Sequence, residues 1–277
     1  MGNGPLDNFA PNKKAFTTKK KNSMKQQFLF ALACTALIAG CKTDNPGPSA
    51  PPSGTKYLER AVTTEDGQSV TYHLAYDDKN RLIAYNSAEE NYRSKITYDG
   101  KSNPVKFELE SDGAKQVFEI TYNNAGIPVS ALSSLTNPET PNKTMETGIT
   151  YEVANGKVNK MVFTDEAGNK AIYSLSYVGN NLTRVAYAAD EGELVLTWKY
   201  GNKKSAYVGA RFNYLVIPDL FSVFSNENEI TESKLEIPGL GSVTSTYTYQ
   251  FDAAGYPTSV TEKDQDGNES KTVFHYR

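Results

Sequence analysis

The stretch TYTYQFDAAGYPTSVTEKDQDGNESKTVFHYR, residues 246–277, decides the fold class. Tyr247, Tyr249 and Phe251 alternate with Thr246, Thr248 and Gln250, a period of two that belongs to a strand and not to a helix. Tyr and Thr favour a pleated surface, where bulky or branched side chains pack against their neighbours. Asp252-Ala253-Ala254-Gly255 then reads as a turn: the Asp side chain bonds its own backbone and Gly supplies a positive φ. A second turn, DQDGNE (264–269), precedes a last strand, TVFHYR (272–277). The stretch predicts antiparallel strands joined by tight turns.

The same unit recurs upstream. VTYHLAYDDKNRL (70–82), KITYDGKSNPV (95–105), VFEITYNNAGIPV (117–129), GITYEVANGKV (148–158), IYSLSYVGNNL (172–182) and LVLTWKYGNKK (194–204) each alternate apolar and Thr/Ser residues, reach an aromatic, and turn. The anchoring aromatics are Tyr76, Tyr98, Tyr122, Tyr151, Tyr177, Tyr200, Phe251 and Tyr276, spaced by 22, 24, 29, 26, 23, 51 and 25 residues. The gap of 51 spans about two periods and is read as one repeat overwritten. Further turns at EDGQ (65–68) and DEAGN (165–169) close the other ends of the hairpins. The expected fold is all-β: a single domain over 56–277, an antiparallel meander of repeated β-hairpins forming a curved or half-barrel sheet. An open sheet of that size needs its edges protected and its apolar face covered.

These paired tyrosines followed by an Asp-x-x-Gly turn resemble the YD-repeat type of sequence, over roughly residues 56–277 and most closely at 246–277. The motif is degenerate, since Phe251 stands for Tyr and Asn replaces Asp or Gly at several turns. The resemblance implies hairpin architecture and no activity.

YVGARFNYLVIPDLFSVFSNENEITES (207–233) breaks the repeat. Pro218 and Asp219 suit the first turn of a helix, and Leu220, Val223 and Phe224 share one face, so a short helix is expected near 218–226. With Phe212, Tyr214 and Phe221 it is read as a lid that plugs the open end of the sheet, most of it buried.

The N-terminus reads as an address. Residues 28–40, FLFALACTALIAG, carry no charge, follow Lys19, Lys20, Lys21 and Lys25, and are too short for the ~20 apolar residues of a transmembrane helix. Ile38-Ala39-Gly40-Cys41 resembles the lipobox of bacterial lipoproteins. That resemblance implies cleavage between Gly40 and Cys41, a diacylglyceryl group on the Cys41 thiol, and stable anchoring by several acyl chains. Met24 opens a signal of normal length, so residues 1–23 are either an extended n-region or lie upstream of the true start. Residues 41–55 form a Pro-rich tether. Lys42, where an Asp would mean inner-membrane retention, favours the outer membrane, with the domain facing the periplasm or the surface. Lipobox and repeat together resemble exported lipoproteins of Bacteroides-type bacteria that carry a domain of unknown function.

Residues 1–40 hold six lysines and one aspartate, so the remaining chain has 23 basic and 31 acidic side chains and a net charge of −8. That balance, without a basic stripe, argues against nucleic acid. No thiol remains beyond Cys41 for a disulfide or a Cys-based site. His73 and His275 lie in strand patterns outside any metal-ligand spacing, and no nucleophile elbow, P-loop or dinucleotide fingerprint occurs. DQDGNE lacks the closing Glu of a calcium loop. No cofactor and no metal is expected. The Tyr positions follow the repeat, which makes cross-strand ladders their first role. Trp198, Tyr200 and Tyr207 are the candidate group for stacking on a glycan or protein partner. The expectation is a non-catalytic binding or scaffold module for a glycan or envelope protein. The alternative is a glycosidase-like hydrolase using turn carboxylates such as Glu89-Glu90, Asp190-Glu191 or Asp264/Asp266, which needs two acids ~5–10 Å apart across a cleft.

Overall fold

The structure, a computed structural model, describes residues 54–189, 192–210, 212, 214–217, 224 and 226–277. The expected signal region, Gly40, Cys41 and the expected tether up to residue 53 lie outside the described residues. So does most of the helix expected near 218–226, of which only Phe224 and Asn226 are described; no α-helix occurs among the described residues.

Sixteen strands follow one another: β1 Leu58–Glu65, β2 Gln68–Tyr76, β3 Leu82–Asn86, β4 Tyr92–Tyr98, β5 Pro104–Ser111, β6 Ala114–Tyr122, β7 Pro128–Thr136, β8 Thr144–Ala154, β9 Lys157–Asp165, β10 Lys170–Val178, β11 Asn181–Ala189, β12 Gly192–Lys204, β13 Asn228–Ile237, β14 Gly241–Phe251, β15 Pro257–Asp264 and β16 Glu269–Tyr276. All belong to one antiparallel sheet that runs from β4 through β16 to β1, β2 and β3. The first and last strands pair with each other, and Tyr57 and Arg277 exchange two backbone hydrogen bonds just beyond them. The two ends of the described chain are thus tied to each other.

The curvature expected from the sequence goes almost full circle. β3 and β4, the two ends of the sheet, meet at a seam. One backbone pair, Ser87 with Tyr92, joins them. Beyond it the Ser94 hydroxyl stands in for a ladder, taking the Tyr85 N–H and donating to the Tyr85 carbonyl, both at 2.8 Å. Asn86 Oδ1 accepts the Ser94 N–H. The sheet is a nearly closed barrel with few unsatisfied edge groups to recruit another strand.

The turns explain the sequence motif. Asp77, Asp99, Asn123, Asp165, Asp252 and Asp264 open identical five-residue loops: each takes the N–H of residue i+3 on its carbonyl and gives its own N–H to the carbonyl of i+4. The Oδ1 atom accepts the N–H of i+4 in each loop, as at Tyr256 by Asp252. Residue i+3 always has positive φ, which is why Gly recurs there and why Asn80 and Ser102 are the exceptions. Asp66-Gly67, Asp112-Gly113 and Asn155-Gly156 make two-residue hairpins with both φ values positive, the twist that matches right-handed strands.

A second periodic device lies just before the turns. In six of the eight hairpins a phenol at or near the end of the even strand reaches back to the carbonyl of the residue that opens, or all but opens, the preceding strand. Tyr76 donates to Leu58, Tyr98 to Leu82, Tyr122 to Pro104, Tyr177 to Val158 and Tyr276 to Pro257, at 2.7–3.0 Å, and Tyr200 does the same to Leu182. A register shift immediately precedes each of these tyrosines, Tyr276 included, where the shift lies against β1. It turns the ring inward, where burial pushes the phenols well above their usual pKa.

All eight hairpin units are present. Tyr200 and Phe251 end consecutive units, so the gap of 51 residues does not replace a repeat; it holds an insertion between β12 and β13. The described residues of that insertion are mostly buried: Ser205, Ala206, Tyr207, Ala210, Phe212, Leu215, Val216, Ile217, Phe224 and Asn226. They touch strands far apart around the wall. Phe212 packs edge-on against Phe107 of β5, and Phe224 against Tyr85 of β3. Val216 accepts from Tyr151 of β8, and Asn226 accepts the Leu182 N–H of β11. A segment that meets β3, β5, β8 and β11 lies inside the barrel. It is a plug, and Phe212 and Phe224 are buried as the lid reading expected.

Candidate functional site

The wall has an inside and an outside set by the period of two. The inward face carries Leu74, Ile96, Phe107, Phe118, Ile120, Ile149, Met161, Leu175 and Val185, one contiguous apolar cluster. The outward face carries the charges. Lys106 bridges to Glu119, Lys160 to Glu152, Arg184 to Glu193 and Lys199 to Glu232 across neighbouring strands. Such exposed pairs add little stability, but they identify the solvent. A transmembrane barrel has the opposite polarity, apolar outside and polar within, and a midplane charge on its lipid face costs about 2–4 kcal/mol. This barrel wall is built to face water.

The lumen is filled. Phe107, Leu82, Ile149, Met161, Leu182 and Ile230 are each less than 2% exposed. A cavity remains near β1, β2, β15 and β16, roofed by Tyr207 of the plug and lined by Tyr72, Tyr85, Tyr247, Glu262, Thr63 and Thr272. Its volume of about 20 Å³ admits a water and not a sugar ring. Tyr72 and Tyr85 stack at 5.0 Å with 3° between their planes. Opposite them, Tyr247 Oη lies 3.0 Å from Ser233 Oγ and 3.3 Å from Glu262 Oε1. Burial pushes the Glu262 carboxyl above its usual range, while bonds from Ser245 and Tyr247 act to lower it. Glu262 sits in phase with Val260 on β15, so an inward acid was legible in PTSVTEKD (257–264); the cavity around it was not.

The three aromatics expected to stack on a partner do not form an outward face. Trp198 points inward from β12, 7% exposed, opposite Ser233. Tyr207 is buried in the plug, edge-on to Phe224 at 5.2 Å. Tyr200 is one of the periodic phenols bonded to the wall. His73 and His275 lie exposed on the outer face, each paired with Arg60 across β1.

The turn carboxylates are engaged in their own loops. Backbone and side-chain bonds hold Asp77, Asp99, Asp165 and Asp252 below the usual carboxylate range despite the opposing effect of burial. Asp190 and Glu191 lie outside the described residues. Among the described residues no group of three or more His, Cys, Asp or Glu is placed to hold a metal ion.

No model of a known protein family matches this chain, and no curated protein matches it. Among solved structures, a porin-like protein from Bacteroides vulgatus ATCC 8482 aligns with a TM-score of 0.52 and 11% identity, over 80% of this chain and 99% of that one. A porin-like protein from Bacteroides uniformis ATCC 8492 gives 0.36 and 16%, over 79% and 98%. The Tc holotoxin pore of Photorhabdus luminescens gives 0.31 and 12%, over 74% and 10%. The first of these shares the fold of the chain described here.

Proposed function

We propose that the protein is a lipid-anchored module of the bacterial cell envelope, held by Cys41 at the outer membrane, whose barrel binds or scaffolds a partner without catalysis. One observation carries this reading: the wall is charged outside and the lumen is filled by side chains and the plug. A barrel of that polarity stands in water and conducts nothing. The membrane connection then falls to the lipobox, and the partner, a glycan or an envelope protein, must be met by the outer surface and the loops. The porin-like neighbour from Bacteroides supports an envelope setting through its fold.

The test is metabolic labelling of the full chain with a fatty-acid analogue in a Bacteroides host, followed by outer-membrane fractionation. The reading expects label on the native chain and none on Cys41→Ser, with the variant lost from the membrane fraction. Equal membrane retention of both chains contradicts it.

A further inference from the structure

The inward face of the barrel is not apolar throughout. On β14, β15, β16 and β1 one level of the wall turns polar: Tyr247 pairs with Glu262, Glu262 with Ser270, and Ser270 with Glu65. One level further along, Thr272 pairs with Thr63, and their hydroxyls meet at 2.9 Å. The period of two dictates this. VTEKD (260–264) and SKTVF (270–274) put Glu262, Ser270 and Thr272 in phase with the core residues Val260 and Phe274. This polar sector borders the water-sized cavity under Tyr207.

Glu262 is the costly member of the sector. It is 6% exposed, so its carboxyl has lost its water. The groups acting on it are the hydroxyls of Ser245 and Tyr247 and two further acids, Glu65 and Asp264, which oppose its ionisation. No Lys, Arg or His pairs with it among the described residues. A buried carboxylate without a countercharge is expensive, and proteins meet that cost with a proton or with a cation.

The cavity can supply the cation. Its volume of about 20 Å³ suits one water, and equally potassium or ammonium, whose radii are close to that of water. Its walls bring Glu262, Tyr247, Thr63 and Thr272 together with the rings of Tyr72 and Tyr85. Oxygen lone pairs and aromatic faces both attract a positive charge. One carboxylate balances one such charge, whereas calcium takes about 6–8 oxygen ligands with several carboxylates among them. The Tyr249 hydroxyl, within electrostatic reach of Tyr247 and Glu262, is buried without a hydrogen-bond partner, so the sector holds polar capacity that the protein itself does not use.

We propose that this cavity binds a water-sized monovalent cation, potassium or ammonium, held by the Glu262 carboxylate with the hydroxyls of Tyr247, Thr63 and Thr272. The ion ties β14, β15 and β16 to β1, the place where the last strand pairs with the first, and so braces the closure of the barrel. The site needs neither the lipid anchor nor an outside partner.

The test is thermal unfolding of the purified full chain at pH 8, where the competing proton is scarce, in chloride salts of fixed ionic strength. Tetramethylammonium carries the same charge but is too large for the cavity, and serves as the reference ion. Replacing it with potassium or ammonium is expected to raise the unfolding midpoint by several degrees, saturating with concentration. Glu262→Gln keeps the shape, removes the charge and is expected to lose that gain. Crystals grown in rubidium chloride are expected to show an anomalous scatterer beside Glu262. Equal midpoints in potassium and tetramethylammonium, an equal gain in Glu262→Gln, or a cavity that holds only water in rubidium overturns the proposal.

Discussion

Tyr151 donates its phenolic proton to the Val216 carbonyl at 3.0 Å. In five other units, and in a sixth with Tyr200, the same phenol bonds the wall it belongs to; here the position is turned to hold the plug. β8 runs on past Tyr151 to a two-residue Asn155-Gly156 hairpin, with its register shift after Glu152, so the ring sits mid-strand and faces the lumen. Tyr151→Phe is expected to cost about 1 kcal/mol, the net value of one hydrogen bond. It should also speed proteolysis within 205–227, whereas Tyr98→Phe should cost as much stability without exposing the plug. Urea titration and limited proteolysis of the two variants check this.

One hydroxyl makes two of the hydrogen bonds across the seam. Ser94→Ala removes both bonds to Tyr85 and leaves its backbone N–H and carbonyl without their partner in a buried place, a cost of about 1–3 kcal/mol. Hydrogen exchange should speed up in β3 and β4 and stay unchanged in β9 and β10. Uniform acceleration would mean that the seam is no weaker than the rest of the barrel.

Gly201 makes room for an acid. A Cβ there would stand 2.1 Å from Glu229 Oε1, whose other oxygen accepts the Lys203 N–H at 2.6 Å. Gly201→Ala should lower the thermal midpoint by several degrees, and Glu229→Ala in the same chain should recover part of the loss. Additive effects in that double-mutant cycle would show that the two positions do not interact.

Glu262 sets a pH dependence of known sign. Its folded pKa is raised by burial, so the folded state holds its proton more tightly than the unfolded state. The group therefore lowers stability as pH rises above the ordinary Glu range, and the penalty is complete once pH passes the folded pKa. Glu262→Gln should gain on the native chain between pH 4 and pH 7. The lowered Asp77, Asp99 and Asp252 act oppositely, their stabilisation being lost as pH falls through their folded pKa values. Denaturant midpoints across that range test whether the Gln advantage grows with pH; a constant difference would contradict the assignment.

The ends of β2, β4, β6 and β14 were legible because each carries an aromatic followed by an Asx turn, both local signals. Closure was not, because the pairing of β1 with β16 and the Ser94 seam join residues with no shared local pattern. The insertion was seen as apolar, and its burial was expected. Its place inside the barrel follows only from which strands Phe212, Val216 and Phe224 meet. Trp198, Tyr200 and Tyr207 looked like a binding group because type and proximity in sequence do not say which face of a strand is inside. The phase of β12 puts Trp198 in the core, and the anchor position gives Tyr200 to the wall.

The barrel has the polarity of a plugged, water-facing body and not of a membrane-spanning one. The most direct measurement takes chain 42–277, without Cys41, purified in the absence of detergent and mixed with neutral phosphatidylcholine vesicles loaded with a self-quenched dye. A monodisperse, β-rich protein that stays in the aqueous phase on flotation and releases no dye is expected. A chain that needs detergent to stay dispersed, floats with the vesicles and empties them would contradict it.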